Sequence, residues 1–382
     1  MLRHRLLLWL AALPLLAVQP LVAANVQVGT CKPKLVTFST ISAAVSAVPP
    51  GSTIQVCPGT YAEQVTITEP LTLEGVTAGT ANQVLITVPS GGLVANVFSM
   101  FGEPVAAQVL VQGAGPVNIT NITVDGTGGD LGCISNTWIA GIFYGSISSG
   151  TVNRARASNQ TDGGCGVGIW AENSDSSSQS ITIENSTVYN VDGEGIFAAS
   201  GDTPTLSVNV SSNVVNPITG LAGILAESVN GVVRSNNISN ALVGVFDTSP
   251  AVSVTSNTIT STEFGMFLTN GGTAVGNQVS GSNIGVFLAA AGATLRNNRI
   301  VSSAAAGVEL SCFTASVSGN FINDAAVGVD QAPAGIGSNT FANTATTITD
   351  GCESAAAAVR TTRANSQEAW HTPATPFGTR RK

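Results

Sequence analysis

The sequence predicts an all-β protein, a right-handed parallel β-helix (a solenoid of roughly ten or more coils) with a short N-terminal capping helix. Two repeat markers and the composition predict it. Glycine followed by an aliphatic residue or Met recurs at Gly141, Gly168, Gly195, Gly223, Gly244, Gly265, Gly285, Gly307 and Gly328, in steps of 27, 27, 28, 21, 21, 20, 22 and 21 residues. In phase with it, Asn-x-aliphatic or Phe recurs at Asn213, Asn236, Asn257, Asn277, Asn298, Asn320 and Asn339. A fixed period of this length marks a repeat architecture. It is too short for a helix pair and lacks leucine-rich spacing, but it fits three short strands and their turns. The chain has 42 glycines and only 9% charged residues, and Val and Ile lie between Asn, Ser and Gly, as short strands between tight turns require.

The N-terminus reads as a secretory signal over residues 1–24. Met1 to Arg5 carries two arginines, Leu6 to Val22 is apolar, and Val22-Ala23-Ala24 offers small residues for cleavage. No other stretch approaches the roughly 18 apolar residues of a membrane span. The β-helix domain is expected over 25–352. Its first coil needs a cover. Phe38 to Gly51 reads as a short amphipathic helix ended by Pro49-Pro50, followed by strands around Thr53–Val56, Gln64–Ile67 and Leu71–Gly75. Stacked coils then place like residues one above another at about 4.8 Å, so the Asn column is expected to form a hydrogen-bonded ladder in a turn. The longer steps before Gly223 imply loops grown from the early coils, for example around Asn173 to Ser180. Residues 353–382, rich in Ala, Thr and Pro and without periodicity, read as a disordered tail.

Charge and cysteine narrow the setting. Residues 25–352 carry seven Lys or Arg against twenty Asp or Glu, a net of −13. A body this acidic repels a phosphate backbone, so nucleic acid is not expected as a partner. Cys31, Cys57, Cys133, Cys165, Cys312 and Cys352 form an even set, which in an exported chain favours disulfides. Proximity in sequence favours Cys31–Cys57, Cys133–Cys165 and Cys312–Cys352, among fifteen pairings that six cysteines allow. With no His between His4 and His371 and no CxxC, metal ligation by these thiols is not expected. The setting is secreted or periplasmic, with no membrane contact after signal removal. The Asn-x-Ser/Thr sites at Asn118, Asn121, Asn159, Asn185, Asn209 and Asn237 read as accidents of an Asn- and Thr-rich repeat.

The order Thr40-Ile41, Ala43-Ala44-Val45, Gly51, Ile54, Pro58-Gly59-Thr60-Tyr61, Glu63, Val65 and Ile67 resembles the start of pectin-lyase-like β-helix proteins. The later Gly-Ile and Asn-x-Ile coils resemble β-helix repeat proteins that include carbohydrate-binding and sugar-processing modules. The resemblance covers roughly 36–345 and implies a fold more than an activity. The catalytic motifs known in those families do not carry over. Gln160-Thr161-Asp162-Gly163 is only a faint echo of the polygalacturonase Asn-Thr-Asp, and the matching His, Asp-Asp and Lys are absent. The methylesterase Asp-Phe-Ile-Phe-Gly and the epimerase Asp-Pro-His-Asp are absent as well. Lyases of this fold use an Arg or Lys base, often with Ca²⁺. The coils offer Arg154, Arg156, Arg234, Arg296 and Arg299, so no cofactor is assigned and Ca²⁺ stays open.

Strand alternation gives a sharper candidate. The aliphatic residue after each glycine and the one two positions on (Ala171, Ala198, Ala226, Leu268, Leu288, Leu310) face the core. The residue between them then faces outward: Phe143, Trp170, Phe197, Leu225, Phe246, Phe267 and Phe287, then Glu309 and Asp330. Six of the chain's twenty aromatic residues at one repeat position make an apolar stripe that suits sugar rings. The stripe could instead be covered by a loop or the tail, or serve self-association. Glu309 and Asp330 fall one above the other. Glu172 and Glu227 share an outward position two coils apart, about 9.6 Å by strand spacing. Both pairs are candidate catalytic carboxylates. Glu194 and Asp247 fall at positions that read as inward, where a local bulge or turn is expected to point them out. The function expected is binding, and in some form processing, of a polysaccharide, with lyase, glycoside hydrolase or epimerase chemistry as the enzymatic options. The alternative is a non-catalytic adhesive or envelope scaffold, with oligomerisation possible through the stripe.

Overall fold

A computed structural model describes residues 22–352, apart from 78–82, 134–135, 202, 218–219, 250 and 334–335. Residues 1–21 of the expected signal and the whole expected tail lie outside the described residues. Two parallel sheets wind around one core. The first has 13 strands and runs from Val36–Phe38 through Asn25–Val28 and Ser52–Val56 to Ser316–Ser318. The second has 22 strands and forms the two remaining faces of each coil. Those faces merge because strands such as Arg299–Glu309 turn the corner unbroken. This one strand pairs with both Gln278–Ser280 and Ile284–Leu288 of the preceding coil.

The capping helix forms where expected, over Ile41–Ala47. Thr40 caps it through its side chain, which accepts from the Ala43 amide at 3.1 Å. Glu63 completes the cap, its carboxylate accepting from the Ile41 and Ser42 amides at 2.8 and 3.0 Å. Buried Ile41 and Ala44 seal the apolar end of the solenoid. The Pro-Gly-Thr-Tyr-x-Glu motif is therefore structural: Glu63 holds the helix, and the Tyr61 hydroxyl donates to the Cys57 carbonyl at 2.8 Å.

The asparagine column forms a closed ladder. Each side-chain amide from Asn213 to Asn320 donates to Oδ1 of the next asparagine at 2.9–3.0 Å. Each also donates to a backbone carbonyl of the coil before, as Asn257 does to Val233 at 2.9 Å. From Asn213 to Asn320 the left-handed residue is the one preceding the asparagine, for example Ser235 (φ 55°) and Ser256 (φ 55°), so Asn supplies the hydrogen bonds and its neighbour the bend. Satisfying every donor matters because the column is buried.

The glycine column has a different cause. A Cβ on Gly168 would stand 2.3 Å from Val188 Cγ1, and one on Gly244 would stand 2.3 Å from Ile259 Cγ2. The inward side chain of the neighbouring face occupies that space in every coil from Gly168 to Gly328. The alternation slips there. Ile169 and Ala171 belong to the main core, whereas Val167 and Trp170 belong to a separate apolar cluster on the outer face. Residues just before the glycine therefore face outward, contrary to the simple two-residue alternation.

Three disulfides join Cys31 to Cys57, Cys133 to Cys165 and Cys312 to Cys352. These are the pairings that proximity favours.

Candidate functional site

The outer face of the glycine strands is the candidate site, and the slip at glycine gives it two columns. Ala140 and Phe143, Val167 and Trp170, Glu194 and Phe197, and Ala222 and Leu225 stack in register with Val243 and Phe246, Phe264 and Phe267, and Ile284 and Phe287. Beyond them the face turns acidic, as Phe287 pairs with Glu309 and Glu309 with Asp330.

One half of this face is covered. Phe143, Trp170 and Phe197 are fully buried and Leu225 is nearly so. The cover is a hairpin that follows the strand Val84–Thr87. Its short strand Val97–Phe98 runs antiparallel to Pro104–Val111, the one antiparallel pairing among the described residues. Val97, Met100 and Phe101 pack on the stripe, and the Phe101 ring stacks on Phe197 with centroids 6.2 Å apart. Gln64 and Asn96 pin the hairpin by side-chain bonds to Val94 and Ala107. No repeat marker identifies this segment. Its only trace in the sequence is the apolar run Val97-Phe98-Ser99-Met100-Phe101, outside the coil period.

The other half is partly open. Phe246, Phe264, Phe267 and Phe287 are half-buried. Phe246 and Phe267 lie 5.0 Å apart, Phe267 and Phe287 4.6 Å, and Phe264 stands edge-on to Phe287 at 5.7 Å. Spacings of this size are those of attractive ring pairs. They also repeat the coil step, so the rings form a continuous ribbon along the solenoid axis.

The carboxylates divide the same way. Glu172 and Glu227 do share one column two coils apart, through Ala199. Glu172, however, is sealed beneath the hairpin and accepts the Met100 amide at 2.9 Å. Burial pushes it up to about 8, opposed by the Met100 amide and reinforced by Glu103. Burial likewise raises Glu227 to about 7. At the open end, burial and the neighbouring Asp330 push Glu309 up to about 7. Asp330 Oδ1 accepts the Gln331 amide at 2.9 Å and the Thr349 hydroxyl. A carboxyl that keeps its proton near neutrality beside one with an accepting oxygen can give and take protons.

Glu194 and Asp247 do not reach solvent, which corrects the expectation that a bulge exposes them. Each is 1% exposed. The slip at Gly195 does turn Glu194 away from the main core, but onto the outer face, next to Ala222 of the covered cluster. Burial pushes it up to about 8. Asp247 keeps its inward position between Ala226 and Leu268, where its Oδ1 accepts the Ser249 amide at 2.8 Å and burial raises it to about 7.

Residues 167–322 match the family model described as the right handed beta helix region. The fold of the chain is a right-handed parallel β-helix. No curated protein matches this β-helix by sequence. Among solved structures it is similar to the GH136 lacto-N-biosidase from Eubacterium ramulus, with a TM-score of 0.53 and 10% identity over 85% of this chain and 67% of the other. It is also similar to the family 28 exopolygalacturonase of Yersinia enterocolitica, with a TM-score of 0.46 and 11% identity over 86% of this chain and 78% of the other. At such identities the likeness is one of fold.

Among the described residues no three His, Cys, Asp or Glu side chains gather as a metal site, and no helix is long and apolar enough to cross a membrane.

Proposed function

We propose that this β-helix is an exported polysaccharide-associated protein whose glycan contact is the open half of its aromatic face. One observation carries the reading: Phe246, Phe264, Phe267 and Phe287 form a half-buried ribbon with one step per coil, which ends on Glu309 and Asp330. Flat apolar rings suit the C–H faces of sugars, and the carboxylates suit their hydroxyls. A contiguous apolar surface rimmed by polar groups is a contact surface. The buried half is set aside because Phe101 and Met100 already occupy it. The similarity to carbohydrate-acting β-helix enzymes supports the ligand class, and the three disulfides fit an extracellular or periplasmic setting. The test is retention of the full chain on a panel of insoluble and gel-immobilised polysaccharides, with product analysis, with and without Ca²⁺. The expected result is retention on at least one polysaccharide. Absence of retention and of products throughout the panel would leave a scaffold role.

A further inference from the structure

A second surface, on the face next to the aromatic ribbon, has the composition of a sugar site. It is built on the strands Thr123–Asp125, Arg156–Ser158, Thr187–Tyr189 and Val214–Asn216. A cleft of about 380 Å³ is lined by Thr60, Thr123, Asp125, Arg156 and Tyr189, among others. A neighbouring cleft of about 450 Å³ is lined by Tyr189, Asn190, Asn216, Pro217 and Asn240. Tyr189 belongs to both, so the two clefts meet at its side chain.

The polar groups of this groove are held in place. The guanidinium carbon of Arg156 sits 4.2 Å from the centroid of the Tyr189 ring, which orients an otherwise exposed side chain. Asp125 Oδ1 accepts the Thr127 amide at 2.9 Å, the Thr127 hydroxyl at 2.6 Å and the Asn159 side-chain amide at 2.7 Å. All three bonds fall on one oxygen, so Oδ2 keeps its accepting capacity. Partial burial would raise Asp125, but the bonds from Thr127 and Asn159 and the Arg156 charge outweigh it and hold the carboxyl below its usual range. Along the groove Asn190 donates to Asn159 at 2.5 Å, and Asn240 donates to Asn216 at 2.9 Å. Each coil thus presents an amide, with donors and acceptors to spare.

Charge decides between ligands. The groove holds one acid and one base, inside a body of net −13 over residues 25–352. That body repels polyanions at a distance, while the fixed Asp125, Arg156 and asparagine amides match uncharged hydroxyls.

We infer that the groove through Asp125, Arg156, Tyr189, Asn190 and Asn216 is a second glycan site, one that takes a neutral, hydroxyl-rich oligosaccharide laid along the coils. The inference rests on the proposed function for its ligand class only, and its residues lie on a different face.

The test is saturation-transfer NMR on the full chain with cellohexaose, xylohexaose and mannohexaose, and with hexagalacturonate as the charged comparison. At least one neutral hexasaccharide should bind, with an affinity that added NaCl leaves unchanged. Arg156→Ala and Asp125→Asn should each weaken it about tenfold or more, the scale of a lost hydrogen bond to a charged group. Arg156→Lys, which keeps the charge but loses the flat stack, should weaken it as well, and it serves if the alanine variant folds poorly. Phe267→Ala/Phe287→Ala, on the ribbon, should leave binding at this groove unchanged. Unaltered affinity in both Arg156 variants, no neutral hexasaccharide bound by the wild type, or a preference for hexagalacturonate would each overturn the inference. Loss of hexasaccharide binding in the ribbon variant, with both Arg156 variants binding like the wild type, would leave the first reading standing and this one refuted.

Discussion

The early and late coils build the same glycine strand on the same core, yet they finish its outer face in opposite ways. From Gly141 to Gly223 the repeat runs at 27 or 28 residues, and from Gly223 onward at 20 to 22. In the long coils the outer face is a second buried core, closed by the Val97–Phe101 hairpin and flanked by the Cys133–Cys165 disulfide. Within this buried face, burial pushes the carboxyls of Glu172 and Glu194 up to about 8, with the Trp170 side chain hydrogen-bonded to Glu172. The short coils leave their aromatics half open and take their order from the asparagine ladder, in which each amide is satisfied. The difference teaches that the same strand position is fully buried where the hairpin lies across it and half-buried in the later coils.

The largest effect is expected in the ladder. Asn257→Ala removes two bonds accepted by Oδ1 and two donated by Nδ2, and it leaves the buried Asn236 amide without an acceptor. At about 1 kcal/mol per bond, urea unfolding should show a loss of roughly 3–4 kcal/mol. The exposed Gln278→Ala, on the strand Gln278–Ser280 next to the ladder, should cost less than about 0.5 kcal/mol, as surface substitutions do. Equal losses at the two sites would refute the view that the buried column holds the late coils together.

Next comes the cover. Phe101→Ala removes the ring stacked on Phe197, for an expected loss of about 2 kcal/mol. Phe287→Ala, on the open half, should cost about 1 kcal/mol or less. Limited proteolysis should cut the Phe101→Ala hairpin near 94–104 faster than wild type and leave the Phe287→Ala hairpin unchanged.

The buried acid gives a pH effect. Glu194 titrates at about 8 in the folded protein against 4.5 for an unperturbed Glu. The unfolded chain therefore releases this proton first. The stability linked to Glu194 is full below pH 4.5, falls as pH rises, and levels off above about 8. Glu194→Gln cannot ionise, so it should stabilise the protein by roughly 4 kcal/mol at pH 8 and by close to nothing at pH 4. A pH-independent difference between the two proteins would contradict that assignment.

Much of this was legible in the amino-acid sequence. The two in-phase markers gave the solenoid, the segment around Ile41–Ala47 gave the cap, and proximity gave the three disulfides. The outward placement of Phe143, Trp170 and Phe197 was legible too, because side chains alternate along a strand. Their burial was not, since the hairpin that covers them carries no repeat marker and docks across 72 residues, from Met100 to Glu172. The outward turn of Glu194 is the expected one, caused by the slip at Gly195 where the Val215 side chain stands 2.4 Å from the site of a Cβ, but its burial on the outer face has no trace in the alternation. The groove at Asp125, Arg156 and Tyr189 was missed for a related reason. Its residues come from four strands on a face whose outward positions follow no single residue type. The one available signal was an Arg among the very few basic residues of the coils.

The most direct measurement compares polysaccharide retention by affinity gel electrophoresis for the wild type, Phe267→Ala/Phe287→Ala on the open half, and Phe143→Leu on the covered half. On a polysaccharide that retards the wild type, the open-half variant should lose about tenfold in affinity or more, as it removes two stacking rings. The covered-half variant should migrate like the wild type. Retardation that survives the loss of Phe267 and Phe287 would contradict the assignment of the open aromatic ribbon as the glycan contact.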